Sequence, residues 1–182
     1  MTLWTPDSTR RRFLSSIVAG ATLGLAGCTG TGGDGNGDGT ETPENTVRMV
    51  TEGAAYYFDP IGLAVDPGTT VTFVNVSGRH SSTAYHPDNP LAGTRRIPDG
   101  AEPWDSTTLT AENETFDHTF EVEGTYDYYC IPHKSLGMIG RIVVGQPGGP
   151  AEGSMPPDGK VPESQRILDE GAVSYDAFVG QG

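Results

Sequence analysis

Two sulfur-bearing side chains and one imidazole follow each other at short intervals late in the chain. Cys130, His133 and Met138 stand at the spacing Cys-x2-His-x4-Met. A thiolate and an imidazole three residues apart can face one metal ion across a tight loop. A methionine at the start of the next strand can approach that ion from a third direction. Soft sulfur and imidazole together suit an ion that cycles between Cu(I) and Cu(II), so the spacing predicts a copper site.

The trigonal form of such a site needs a second imidazole from another part of the chain. His80 is favoured because it directly follows a predicted strand, 70–76, and a Ser-Gly turn. His86, six residues further on, is the competing candidate. His118 lies on the apolar face of another predicted strand and is interpreted as a hydrogen-bonded core residue rather than a ligand.

Other chemistries explain these residues less well. Structural zinc sites use cysteine, histidine and carboxylate, and methionine is not among their usual ligands. A nucleophilic Cys–His pair would leave Met138 without a role, and no oxyanion-hole motif accompanies it. A multicopper oxidase needs a histidine-rich cluster, whereas the chain has 4 histidines. The sequence therefore predicts a copper protein that is not an enzyme.

Short β-strands separated by turns must position the copper ligands. Segments rich in β-branched or aromatic residues lie at 47–50, 62–65, 70–76, 115–122, 125–130 and 140–144. None of them has a helical period, and about 100 residues of short antiparallel strands predict an all-β, two-sheet sandwich. The stretch 81–111 is long and irregular, and loops of that length are usually functional or carry short structure of their own.

The ligand loop resembles that of cupredoxins of the plastocyanin/halocyanin type. The family's pattern Tyr-Cys-x-Pro-His-x4-Met-x-Gly is matched by Tyr129, Cys130, Pro132, His133, Met138 and Gly140. Upstream, residues 58–75 resemble the region that leads to the first histidine ligand, and His80 falls where the family places that ligand. The resemblance covers about residues 47–146. It implies a Greek-key β-sandwich with one copper ion held by His80, Cys130, His133 and Met138.

Two residues beside His80 depart from the usual family pattern. Arg79 replaces the proline that often precedes the first histidine, and Ser81 stands where asparagine is common. The backbone N–H of Ser81 is still expected to donate to the copper-bound sulfur, because that bond does not use the side chain.

The resemblance also raises the question of where electrons enter and leave. In plastocyanins the tyrosine before the cysteine marks one docking surface, and Tyr129 matches it. Because successive strand residues point to opposite faces, Tyr129 and Asp127 are expected to face outward, away from the copper. The competing route is the edge of His133, whose rim includes the apolar Leu136. We expect this edge to dominate, because apolar contact is not screened by salt.

The first 28 residues resemble an export signal. Arg10-Arg11-Arg12-Phe13-Leu14 resembles the twin-arginine pattern, and a short apolar run follows at 17–26. Leu25-Ala26-Gly27-Cys28 resembles a lipoprotein cleavage box, in which the cysteine becomes the lipidated first residue of the mature chain. We therefore expect Cys28 to anchor the protein to the cell membrane on its extracellular side.

Composition limits the remaining functions. The 182 residues include 24 acidic and 11 basic side chains, a net charge of −13, so a nucleic-acid phosphate backbone would be repelled. There is no apolar run long enough for a polytopic membrane protein.

The predicted regions are a signal peptide at 1–27, the lipidated Cys28 with a flexible Gly/Asp-rich linker to 46, a copper domain at 47–146, and a Pro/Gly linker with a short, partly helical tail at 147–182.

These observations together predict a monomeric, membrane-anchored blue copper protein. It would carry single electrons between redox protein partners outside the cytoplasmic membrane. The alternative is a copper-binding protein for storage or delivery, because binding copper does not by itself establish electron transfer.

Overall fold

A computed structural model describes residues 44–181, which form two β-sheets. The predicted signal peptide, Cys28 and most of the predicted linker to residue 46 lie outside these residues. One sheet has the strand order β2-β1-β4-β6 and the other β5-β7-β8-β3-β9. The strands are β1 (Thr46–Glu52), β2 (Ala55–Asp59), β3 (Gly62–Val65), β4 (Thr69–Asn75), β5 (Thr83–Ala84), β6 (Thr115–Phe120), β7 (Gly124–Tyr129), β8 (Ile139–Val144) and β9 (Ala172–Val173).

The predicted β-sandwich is confirmed, and each predicted strand is present within two residues of its expected ends. The chain crosses repeatedly between the sheets: from β2 to β7, each strand belongs to the sheet opposite that of the strand before it. Strands β2, β5 and β9 were not among the predicted segments. β5 and β9 have two residues each, too few for alternation to be visible in sequence.

Aromatic side chains fill the space between the sheets. Tyr128 on β7 is fully buried, and its ring meets those of Phe58 and Phe73 edge-on at centroid distances of 4.6 and 5.4 Å. Edge-to-face contacts of this kind add about 0.5–1.5 kcal/mol to the effect of burial. The strand before the ligand loop is therefore fixed by the core at its penultimate residue.

β1 runs towards the end of the sandwich that carries His80. Its residue Met49 pairs with Asn75, the last residue of the parallel strand β4, five residues before His80. Thr51, two residues further along β1, contacts the ring of His80 directly, with Oγ1 2.9 Å from Nε2. Thr46 starts the strand about 17 Å from Thr51, given the rise of an extended chain.

The stretch 81–111 is built into the sandwich. After β5 it returns beside its own start, where bridges join His80 to Leu109 and Thr83 to Asp105. Trp104 fills a core position, and its Nε1 donates to Ser82 Oγ at 2.9 Å. Residues 104–109 of this stretch therefore contact His80 and the residues that directly follow it.

The segment after residue 146 also belongs to the domain, which differs from the predicted linker and tail. Helix α1 (Ser164–Glu170) lies within the tail that was expected to be partly helical, and β9 extends the second sheet by pairing with β3. Ile167 and Val173 are fully buried. A second helix, α2 (Tyr175–Val179), follows. The start of the segment after residue 146 is rich in glycine and proline and is held by polar bonds. Because such bonds leave no apolar pattern, the sequence does not indicate these contacts. No helix in the described part of the chain has the length and apolar character needed to cross a membrane.

Candidate metal centre

Three of the predicted ligands meet at one end of the sandwich. Single donor atoms from His80, Cys130 and His133 all lie within 4.8 Å of one another. Cys130 Sγ is 3.6 Å from His80 Nδ1 and 3.4 Å from His133 Nδ1. His80 and Cys130 are fully buried, whereas His133 is half-buried. The arrangement brings one sulfur and two imidazole nitrogens to a common point.

The ring of His80 is held with one particular nitrogen towards the sulfur. Its Nε2 lies 2.9 Å from the backbone carbonyl of Ser77. Because a carbonyl can only accept, Nε2 must carry the proton, and Nδ1 keeps a free lone pair. Gly78 allows the turn from Ser77 to His80 to pass close to Thr51. It adopts a φ of +84°, and a Cβ at this position would collide with Thr51. The turn before His80 therefore orients a neutral imidazole for metal binding.

A short loop carries the other donors. Cys130 directly follows β7 and precedes a 3-10 helix (Ile131–Leu136), which Gly137 closes at a φ of 82°. The backbone N–H of Cys130 donates to the carbonyl of Met138 at 3.0 Å, and the N–H of Met138 donates to the carbonyl of His133 at 3.2 Å. Met138 itself is fully buried at the foot of β8. The backbone bonds tie the three loop residues to each other.

Ser81 links the two histidine-bearing regions. Its backbone N–H donates to Cys130 Sγ at 3.4 Å, which confirms the bond expected from the sequence. Its side-chain oxygen accepts from the backbone N–H of Ile131 at 2.8 Å and lies 3.0 Å from Thr83 Oγ1. The hydroxyl that replaces the family's usual amide therefore still joins the His80 segment to the ligand loop.

Tyr56 on β2 is a contact that the sequence analysis missed. Its ring stacks on His133, with centroids 3.9 Å apart and planes inclined by 14°. The signal that could have found it is the alternation with Phe58, which places both side chains on the inner face of β2. Tyr56 covers one face of the more exposed imidazole.

Burial keeps the donor groups uncharged at neutral pH. It lowers the pKa of His80 to about 4, with a further contribution from the neighbouring His133, and it also lowers the pKa of His133. Burial raises the pKa of the Cys130 thiol to about 11, against the opposing effect of the Ser81 N–H. Both imidazoles are therefore ready as neutral ligands, and metal binding releases the thiol proton.

The two other histidines considered lie elsewhere. His86 lies beside Asp88, whose backbone N–H donates to its Nδ1 at 3.3 Å. His118 is half-buried and stacks on Trp104 at a centroid distance of 4.6 Å. Burial lowers the pKa of His118 to about 4. His118 therefore packs against the core as expected, but by stacking rather than by a hydrogen bond.

The expected outward placement of Tyr129 and Asp127 is wrong. Both residues are fully buried. They do point away from the Cys130 side of β7, but residues 85–96 and the segment after 146 cover that face. Asp127 pairs there with Arg96 and Arg141, each through a 2.8 Å bond. The tyrosine before the cysteine thus offers no surface to a partner.

The fold and the donor set define a class of copper proteins. Residues 45–145 match the model of the copper binding proteins of the plastocyanin/azurin family. The chain belongs to this family, and copper is its cofactor. The thiolate, imidazole and thioether donors present suit that ion.

Particular relatives give the comparison more detail. The chain is 35% identical over 99 residues to chloroplastic plastocyanin of Physcomitrium patens, covering 54% of this chain and 56% of that protein. It is 32% identical over 108 residues to halocyanin of Natronomonas pharaonis, covering 57% and 59%. A pseudoazurin structure from Sinorhizobium meliltoi superposes with a TM-score of 0.50 and 32% identity, over 70% of this chain and 91% of that one. The chain thus spans less than two thirds of the length of several curated relatives.

Proposed function

We propose that the protein is a blue copper electron carrier whose metal is held by Nδ1 of His80, Sγ of Cys130, Nδ1 of His133 and the thioether of Met138. The observation that carries the proposal is the convergence of one buried thiol and two neutral imidazoles within 4.8 Å. The family membership supports it, and so does the similarity to plastocyanin, halocyanin and pseudoazurin. On this proposal the protein is a carrier and not an enzyme.

Preorganisation of the donors is what such a carrier requires. A copper ion in this site would supply the one-electron exchange between Cu(I) and Cu(II). The Ser77 carbonyl fixes the His80 ring, the Ser81 N–H donates to the sulfur, and Tyr56 restrains the His133 ring. Because these contacts do not depend on the metal's charge, the donors can keep one arrangement in both oxidation states.

The edge of His133 is the proposed route for electrons. Its neighbours on the 3-10 helix include Pro132, which is exposed, and Leu136, which is 62% exposed. Small contacts are typical of transient electron-transfer complexes, so an apolar rim of this size suffices for docking. The burial of Tyr129 supports this choice over the competing surface. The partners on this proposal are redox proteins that meet the monomer at this edge.

Repeated redox cycling tests the carrier role. Purified copper-loaded protein is reduced and reoxidised several times, and bound copper and visible absorption are measured after each cycle. We expect both to be retained, because the donors are anchored to the protein in both states. Release of copper on reduction would instead support the storage or delivery alternative.

The docking edge is tested in the same preparation with Leu136→Asp. The substitution places a charge on the rim without touching a donor, so the visible spectrum should be unchanged. We expect slower electron self-exchange, measured by NMR line broadening in mixtures of the two oxidation states. Asp66→Asn, a surface change in the turn before β4, is the matched control. An unchanged self-exchange rate in Leu136→Asp would contradict the His133 edge as the electron route.

We also propose that a lipid on Cys28 anchors the protein on the extracellular side of the cell membrane. The lipobox-like Leu25–Cys28 sequence behind a twin-arginine-like start supports this. Cys28→Ser is expected to release the protein from the membrane fraction into the medium or the soluble fraction. Fractionation of cells that express both forms checks it. Retention of Cys28→Ser in the membrane fraction would instead indicate an uncleaved signal helix or a docking partner in the membrane.

A further inference from the structure

The segment after residue 146, beyond the part that matches the family, is fastened to the domain by a buried charged network. Asp127 accepts from both Arg96 and Arg141, and the three side chains are at most 5% exposed. Both arginines also donate to the carbonyl of Ala151, at 3.0 and 3.2 Å, and Arg96 donates to the carbonyl of Ser154. Hydrogen bonds from charged guanidinium groups are stronger than neutral ones, and these are buried, so the start of this segment is firmly held.

From this fixed point the chain passes over the ligand loop. A Cβ on Gly159 would lie 3.0 Å from the side chain of Ile139 and 3.5 Å from the carbonyl of Gly137. Gly137 closes the 3-10 helix that carries His133, and Ile139 follows Met138. The C-terminal segment therefore touches the ligand loop at the point where that loop returns to the sheet.

Asp158 makes the specific connection. Its Oδ2 accepts from Lys134 Nζ at 2.5 Å and from the Tyr85 hydroxyl at 2.6 Å. The Lys134 and Asp158 side chains are only 14% and 21% exposed, so water weakens this ion pair less than one on the open surface. Lys134 is the residue next to His133, and its ammonium lies 5.3 Å from the ring centroid of Tyr129, the residue next to Cys130. Asp158 thus contacts the neighbour of His133 directly, and Lys134 in turn contacts the neighbour of Cys130.

We infer that Asp158 is a positioning residue of the copper site, through which the C-terminal segment braces the ligand loop. Asp158 does not reach the donor atoms and acts through Lys134 and Tyr85. No residue of the 3-10 helix between Cys130 and Gly137 is fully buried, so contacts from other segments contribute to holding it in place. Contacts made directly to metal ligands typically change metal affinity by about 10–100-fold, and Asp158, which acts one residue further out, is expected at the lower end of that range. This inference rests on the ligand set proposed above.

The test compares Asp158→Ala and Asp158→Asn with Asp169→Asn, an exposed carboxylate on α1 that contacts Gln165. Copper release from each Cu(I) protein to a competing chelator is followed, together with the electron paramagnetic resonance spectrum of the Cu(II) form. We expect Asp158→Ala to release copper about 10-fold faster and to broaden the copper signal. Asp158→Asn should have a smaller effect and Asp169→Asn none.

Lys134→Met tests the other side of the same contact and covers the case in which Asp158→Ala does not fold. It removes the ammonium and keeps most of the aliphatic chain, so we expect faster release here too. In the Lys134→Met/Asp158→Asn double variant, the two effects should not add, because they remove one interaction. Release rates equal to those of the unchanged protein in Asp158→Asn and Lys134→Met would overturn the brace. A protein that never forms a blue site would overturn the proposed ligand set instead.

Discussion

Replacing Cys130 with serine is expected to abolish the intense visible absorption of the Cu(II) protein. The absorption of a blue site arises from charge transfer between a thiolate sulfur and the copper, and a serine hydroxyl cannot supply it. The effect should be complete rather than graded, because Cys130 is the sulfur on which His80 and His133 converge. Titration of the variant with Cu(II), followed by optical spectroscopy, measures the loss.

The control for this experiment is the fold of the variant. Serine occupies nearly the volume of cysteine, and the Ser81 N–H that donates to Sγ can donate to the new oxygen. The circular dichroism spectrum and the cooperative thermal transition of the copper-free variant should therefore match those of the copper-free parent. A variant that keeps a strong blue band would exclude Cys130 as the ligand, and a wild-type protein with only a pale Cu(II) site would exclude the blue-copper assignment.

Replacing His80 with alanine is expected to have a comparably large effect on the blue band. His80 is the more deeply buried of the two imidazole donors, and its removal leaves the single imidazole of His133 beside the sulfur, where a trigonal site needs two. His86→Ala and His118→Ala serve as matched controls, since the first ring accepts from the Asp88 backbone N–H and the second stacks on Trp104. Copper titrations of all three variants under identical conditions give the comparison. Loss of the band in His86→Ala with retention in His80→Ala would reverse the assignment.

The sequence predicted the sandwich and the convergence of the donors for different physical reasons. The strands could be predicted because apolar side chains that face the core alternate with polar side chains that face solvent, as they do from Phe116 to Phe120. The donors appeared because Cys130 and His133 are separated by only a short loop, whose length restricts where the side chains can go. His80 could be placed because it follows directly from the end of a strand.

What the sequence could not predict depends on contacts between distant segments. Alternation along β7 correctly turns Tyr129 away from Cys130, but it cannot tell whether another segment covers that face. The cover comes from residues 85–96 and from a segment that contains polar, glycine-rich sequence. Asp158 is 24 residues from Lys134, and nothing local in either sequence indicates their pairing. Such polar contacts leave no periodic pattern.

The direction of β1 determines how the protein can be presented to its surroundings. The chain enters at Thr46, about 17 Å along the strand from Thr51, which touches His80. Anything joined upstream of Thr46, whether a bilayer, a fused protein or an electrode surface, is attached at the pole remote from His133. A long flexible linker, such as the one predicted before residue 46, leaves the orientation of the domain free, whereas a short and rigid connection to Thr46 would turn the His133 end away from the surface. For direct electrochemistry this orientation is unfavourable, and a linkage near Ser135 would bring the metal end to the electrode instead.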